Sequence, residues 1–268
     1  MNQSTPSFLQ CLLAAGVIQY ANQEAFDEHL KAYRMLSKPL FLSPDTNVLY
    51  HRFLTNSSTI DLREVLLVDT VREEIEASLN FKYTPAQISE IKRGARYQQF
   101  LLDELVNRRM KKSRLACIAL AEYRELRRYA VEIEGVERST NDKEQTDLII
   151  AKTLRRFEKE RAALPVMLTA DRQMADLCEA EGIEHFHFTL PHAVQADFCS
   201  SRSMRRMIYN LAMVFGVIRL NSVVVFGEFK GKKRIDQLKL RFLDEELWKG
   251  FEKHLRMCRR LMNLGIRQ

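Results

Sequence analysis

Four carboxylates far apart in the chain, Asp45, Glu74, Asp147 and Asp171, each fall where a short apolar run gives way to a helical pattern. Asp45 ends the run Leu40-Phe41-Leu42, and Asp171 follows Val166-Met167-Leu168-Thr169. Glu74 lies about one turn into the helix expected after Val65-Leu66-Leu67-Val68, and Asp147 is expected to begin the helix that buries Ile150 and Ala151. In a wound α/β sheet, strand ends and the following helix starts share one edge, and ligands bind outside that edge. All four acids can therefore converge there. Two like charges ~4 Å apart repel by roughly 4 kcal/mol at an effective dielectric of 20. Convergence then demands raised pKa values or a hard divalent cation. A donor set made only of oxygen favours Mg²⁺ or Mn²⁺ over Zn²⁺. Such an ion activates water and stabilises charge developing on a phosphodiester. Each acid taken singly also suits a helix cap or an exposed position.

The elements that must position these acids follow from periodicity. Residues 7–37 read as helix with a polar break, and Pro39 then opens the first strand. Short apolar runs at 40–42, 65–68, 130–136, 165–169 and 183–189 alternate with helical patterns. This alternation predicts an α/β fold with a parallel sheet covered on both faces. Thr84-Pro85 opens a helical stretch reaching about Tyr129, broken near Arg108 to Ser113. The tail carries a helix near Met204 to Phe215, a β-hairpin formed by Val217–Phe226 and Leu238–Phe242, and a last helix from Asp244. That helix shows Leu247, Trp248, Phe251, Leu255, Cys258 and Met262 on one face.

The 268 residues carry a net charge of +7, and the charge is segregated. Between Phe81 and Ala130, twelve Lys/Arg oppose five Asp/Glu, and from Pro191 to Gln268 sixteen oppose seven, so the rest of the chain is acidic, at −9. Basic segments flanking an acidic centre suggest a polyanionic partner. Arg108, Arg109, Lys111, Lys112 and Arg114 are the first candidate phosphate grip, with Lys92, Arg93, Arg96, Arg124, Arg127 and Arg128 adding helical charge. Lys232, Lys233 and Arg234 are the second. Phosphate contacts of this kind give salt-dependent affinity without sequence readout. The five cysteines are odd in number and include no C-x-x-C, as expected of buried free thiols in a reducing cytosol. No apolar run reaches the ~18 residues of a membrane span, and no basic region precedes Phe8 to Tyr20 as in a signal peptide. His51 and His192 lie near expected strand edges, and His185 and His187 share one strand face. There is no Gly-rich phosphate loop, G-x-S-x-G or H-E-x-x-H. Asn47 stands where an aspartyl-nucleophile phosphatase would carry a second Asp.

From Lys38 to His192 the motifs resemble those of the PIN-domain nucleases. Phe41-Leu42-Ser43-Pro44-Asp45-Thr46-Asn47 matches the first motif, and Val71-Arg72-Glu73-Glu74-Ile75 the second. Asp147-Leu148-Ile149-Ile150-Ala151 matches the third, and Leu168-Thr169-Ala170-Asp171-Arg172-Gln173-Met174 the fourth. Ala180-Glu181-Gly182-Ile183-Glu184 looks like the lead into the family's last strand. The resemblance implies an α/β/α sandwich around a central parallel sheet of about five strands (38–192). To this the chain adds N-terminal helices (1–37), a basic helical insertion (81–130) and a small C-terminal α+β module (193–268). It further implies Mg²⁺- or Mn²⁺-dependent hydrolysis of RNA leaving a 3′-hydroxyl and a 5′-phosphate. Asp45, Glu74, Asp147 and Asp171 would be the metal-binding acids. Thr46 and Asn47 would orient Asp45 or the water, and Asp142 would support from outside. A non-cutting RNA-binding scaffold of PIN type and a structure-specific DNA nuclease are the alternatives. Homo-oligomerisation and an inhibitory protein partner stay open.

Overall fold

A computed structural model describes residues 4–94, 103–104, 108–137, 142–192, 194 and 198–265. The expected Arg96 and the loop residues 139–141 lie outside these. The chain opens with α1 (Ser4–Ala14) and α2 (Gln23–Arg34), separated at Gly16, whose φ of +68° suits a residue without Cβ. Then come β1 (Leu40–Pro44), α3 (Thr46–Tyr50), α4 (Phe53–Asn56), a 3₁₀ turn at Leu62–Glu64, β2 (Leu66–Val68) and α5 (Asp69–Ser78). The middle of the chain forms α6 (Pro85–Gly94), α7 (Lys111–Leu126), β3 (Val131–Ile133) and α8 (Lys143–Arg161). Next are β4 (Leu164–Thr169), α9 (Arg172–Glu181) and β5 (His185–His187). The tail is α10 (Ser201–Phe215), β6 (Val217–Leu220), β7 (Val223–Phe226), β8 (Lys239–Phe242) and α11 (Glu245–Asn263).

The fold is α/β with parallel sheets, as the alternation predicts. The strands do not, however, form one continuous five-stranded sheet. β1, β4 and β5 form a three-stranded parallel sheet in the order β1-β4-β5, and β2 and β3 form a separate parallel pair. A single parallel bridge, Leu42 to Val65, lays the pair beside β1. β2 and β3 are three residues each.

Several expected boundaries move for clear local reasons. α8 begins at Lys143, capped by the Asp142 carboxylate accepting from the Glu144 amide at 3.1 Å, so Asp147 sits one turn inside the helix instead of at its start. Thr84 and Gln87 cap α6 reciprocally, the Gln87 side chain accepting from the Thr84 amide and the Thr84 hydroxyl from the Gln87 amide. The expected tail hairpin is a three-stranded antiparallel sheet, because Asn221, at φ +50°, turns Val217–Phe226 back on itself. Gly227 permits the close approach of that sheet to α10: a Cβ there would lie 2.1 Å from the Ala212 carbonyl oxygen.

The additions expected around the core are built into it. Leu12, Leu13, Tyr20, Phe26, Leu30 and Tyr33 share the main core with the strands. Tyr20 stacks on Phe188 with centroids 4.3 Å apart, and Phe26 meets Phe186 edge-on at 5.2 Å. α7, expected within a basic insertion, buries Ala116, Cys117, Ala119, Leu120, Tyr123 and Leu126. Its residues and those of α10 join Cys11 of α1 in a second apolar cluster. Cys11, Cys117 and Cys178 are buried free thiols as expected, but Cys258 is exposed. Among the described residues no helix is long and apolar enough to cross a membrane.

Candidate functional site

Asp45 and Asp171 stand at the carboxyl ends of β1 and β4, and Glu74 and Asp147 are near enough for their charges to interact with each other and, for Asp147, with Asp171. Asp45 follows β1 directly and its amide donates to the Leu168 carbonyl of β4 at 2.9 Å. It is the N-cap of α3: Oδ1 accepts from the Val48 amide at 2.7 Å, while Oδ2 accepts from the Thr169 hydroxyl at 2.5 Å. That same hydroxyl oxygen accepts from the Asp171 backbone amide at 2.9 Å, so Thr169 links the Asp45 carboxylate to the Asp171 main chain. Asp171 is likewise an N-cap, accepting from the Gln173 amide at 3.0 Å. On α5, Glu74 accepts from the Thr46 hydroxyl at 2.5 Å. Thr46, expected to orient Asp45 or the water, thus bonds Glu74, and Asn47 bonds the Asp45 carboxylate. Asp142 serves as the α8 cap.

Charge couples the set. Burial raises the Asp45 carboxyl to about 6, against the pull of its Thr169, Val48 and Asn47 hydrogen bonds, and the Asp171 charge adds to the rise. Burial also raises Asp147 to about 6; Lys143 opposes this, while Glu74, Asp171 and Glu144 reinforce it. Lys143 was not anticipated. Its ammonium contacts Asp171 Oδ2 at 2.5 Å and is held charged chiefly by that hydrogen bond, with Asp147 and Glu74 contributing. For Asp171, burial favours the neutral acid, but the Lys143 hydrogen bond, the Gln173 amide and the charges of Lys143 and His187 outweigh it, so its pKa falls. The sequence signal for Lys143 was its i, i+4 spacing to Asp147 on one helix face.

One ammonium among four buried or half-buried carboxylates leaves surplus negative charge. That donor set suits a hard divalent cation. Among the described residues no group of three or more His, Cys, Asp or Glu side chains is gathered closely enough to cage an ion. Mg²⁺ commonly binds through one or two carboxylates with water completing its shell, and Asp45 and Asp171, whose charges interact, are the pair that would hold it. His51 is buried, with Nδ1 2.7 Å from the Tyr20 hydroxyl, and burial lowers its pKa to about 4. His192 is exposed, and it is His187 whose charge is felt at Asp171.

The two expected phosphate grips divide into exposed and internal cations. Arg108, Lys112, Lys233 and Arg234 are exposed, with Lys112 lying over the Phe81 ring at 4.9 Å and Arg234 paired with Asp236 at 2.6 Å. Arg114 is buried, and burial lowers its pKa. The Lys232 side chain is 3% exposed and donates to the Gly227 carbonyl at 2.5 Å, beside the buried Glu228 at 3.7 Å. Arg109 reaches the same Glu228 at 3.5 Å, and Lys111 bonds the Ser7 hydroxyl. Arg114 and Lys232 are therefore corrected from surface grips to interior residues: a cation run in sequence says nothing of which members an adjoining helix or loop will cover.

No family model matches the chain, and no curated protein matches it. Among solved structures it is similar to "a domain of a functionally unknown protein from Methanocaldococcus jannaschii DSM 2661", at 16% identity, over 60% of this chain and 99% of that one, with a TM-score of 0.36. A likeness so slight bears no weight for fold or function.

Proposed function

We propose that the chain is a Mg²⁺- or Mn²⁺-dependent endoribonuclease of PIN type, its parallel strands forming the core of a PIN-like sandwich. The observation that supports this reading is the charge coupling of Asp171 with Asp45 and Asp147, with Glu74 and Lys143 acting on the same set and Thr169 linking the Asp45 carboxylate to the Asp171 main chain. Asp45 and Asp171 would hold the ion. When bound, it supplies charge for the developing phosphorane and lowers the pKa of water. Thr169 and the Val48 amide fix the Asp45 carboxylate, and Thr46 fixes that of Glu74. A carboxylate oxygen of Asp147, with its pKa near 6, takes the proton that the attacking water loses. Exposed Arg108, Lys112, Lys233 and Arg234 give the RNA backbone its non-specific contacts.

Mn²⁺-dependent cleavage of structured RNA, lost in both Asp45→Asn and Asp171→Asn while folding is retained, is the expected result. Cleavage that survives both substitutions overturns it. A second reading, an RNA-binding scaffold that does not cut, is favoured by one observation. Lys143 already neutralises Asp171, and both Asp45 and Asp171 have work as helix caps. RNA binding by the native chain with no cleavage in Mg²⁺ or Mn²⁺ would select it.

A further inference from the structure

Lined by none of the four acids, a cavity of about 430 Å³ opens between the segment after α3 and the first turns of α10. Its size is that of a small-ligand site. Three arginines line it: Arg52 from one side, and Arg202 with Arg206, one helical turn apart, from the other. Arg52 has φ +50° and ψ +34°, a left-handed conformation unusual for a side chain of this size. Observed strain of this kind is found preferentially at ligand sites.

Of the three arginines, Arg52 alone has an acidic partner among the described residues. Glu122 is fully buried and consumed locally, accepting from Arg52 Nε at 3.1 Å, the Thr55 amide at 3.0 Å and the Thr55 hydroxyl at 2.7 Å. Glu125, the acid on the cavity wall, is paired with Arg128 at 3.4 Å. Arg206 donates to the neutral Asn56 side chain, and Arg202 has no hydrogen bond or ion pair among the described residues. Burial, then the like charges of Arg52 and Arg202, depress the Arg206 pKa, consistent with positive charge awaiting a counterion. Beside the arginines stands the ring of Tyr129, 53% exposed.

We infer that this cavity binds the terminal phosphate of a nucleotide, with Arg52, Arg202 and Arg206 around the phosphate and Tyr129 against the base. Guanidinium groups match phosphate oxygens in bidentate geometry. A surplus of more than one positive charge favours the doubly charged monoester over the singly charged diester of a polynucleotide backbone. An exposed aromatic ring next to cations is a stacking surface for any base. The nucleotide can be free or can be the 5′ end of a strand; the chemistry recognised is the same. This inference uses none of the acidic residues and does not rest on the nuclease reading.

The test is calorimetric titration of the full chain, without divalent ions, using AMP, adenosine, and an oligoribonucleotide with either a 5′-phosphate or a 5′-hydroxyl. AMP should bind at least tenfold more tightly than adenosine. Arg202→Gln, at an exposed position, should weaken AMP binding by roughly tenfold to a hundredfold, the worth of a charge-assisted hydrogen bond, without changing thermal stability. Tyr129→Ala should weaken AMP but leave inorganic phosphate unaffected. Preference of the oligonucleotide for its 5′-phosphate form supports the site with a strand end as source. Discrimination of AMP with an indifferent oligonucleotide supports it with a free nucleotide. Equal affinities for AMP and adenosine, or an Arg202→Gln chain that binds AMP like the native one, overturn the inference.

Discussion

Replacing Asp45 by Asn should stabilise the fold at neutral pH and do almost nothing at pH 4. The Asp45 carboxyl ionises near 6 in the folded chain against 3.8 when free in solution, chiefly because it is buried. Between these values the folded state holds a proton that the unfolded state has released, so folding stability falls as pH rises through this window. The difference of about 2 units is worth roughly 3 kcal/mol above pH 7 and about 0.5 kcal/mol at pH 4. The side chain is 6% exposed, so little of this is lost to solvent screening. Asn keeps an oxygen for the Val48 amide, and whatever packing change it introduces is the same at both pH values. Urea denaturation of both proteins in EDTA at pH 4 and pH 7.5 isolates the ionisation. The gain from Asp45→Asn should be larger at pH 7.5 by about 2.5 kcal/mol. Adding Mg²⁺ at pH 7.5 should stabilise the native chain and leave the variant unmoved, since only the former presents the charge. A pH-independent difference between the two proteins would refute the argument that this carboxylate is held in its charged form against its surroundings.

Removing the Lys143 ammonium by Lys143→Met takes a competing cation away from Asp171 and should tighten Mn²⁺ binding several-fold by calorimetry; weaker binding would show that the lysine helps to assemble the site. Glu122→Gln leaves Arg52 without its buried partner and should cost about 3 kcal/mol in denaturant unfolding, the scale of a broken buried ion pair. Gly227→Ala forces a methyl group onto the Ala212 carbonyl and should destabilise the chain by about 1–3 kcal/mol, read as a lowered melting temperature. Lys232→Ala should reduce stability, because Glu228 then loses a buried cation. Lys233→Ala should leave stability unchanged and weaken RNA binding most at low salt, measured by filter retention.

The sequence by itself determined the alternation of short apolar runs with helices, and with it the parallel α/β class and the edge on which Asp45 and Asp171 stand. Those features are local. Side-chain periodicity, Pro39 before β1 and the capping preference of aspartate act within a few residues, so they can be read without knowing the neighbours. The same locality places Asp45 and Asp171 as caps, and the edge they share follows from parallel pairing alone. What the tertiary structure decided concerns partners distant in the chain. Which hydroxyl binds which acid (Thr46 with Glu74, Thr169 with Asp45) depends on how α5 and β4 pack beside α3. Whether a lysine in a basic run meets solvent or a buried glutamate depends on which loop closes over it, as at Lys232 and Glu228. The arginine-lined cavity belongs to this second kind. Its three guanidinium groups come from segments 150 residues apart, Arg52 and Arg202, and no pattern along the chain brings them together.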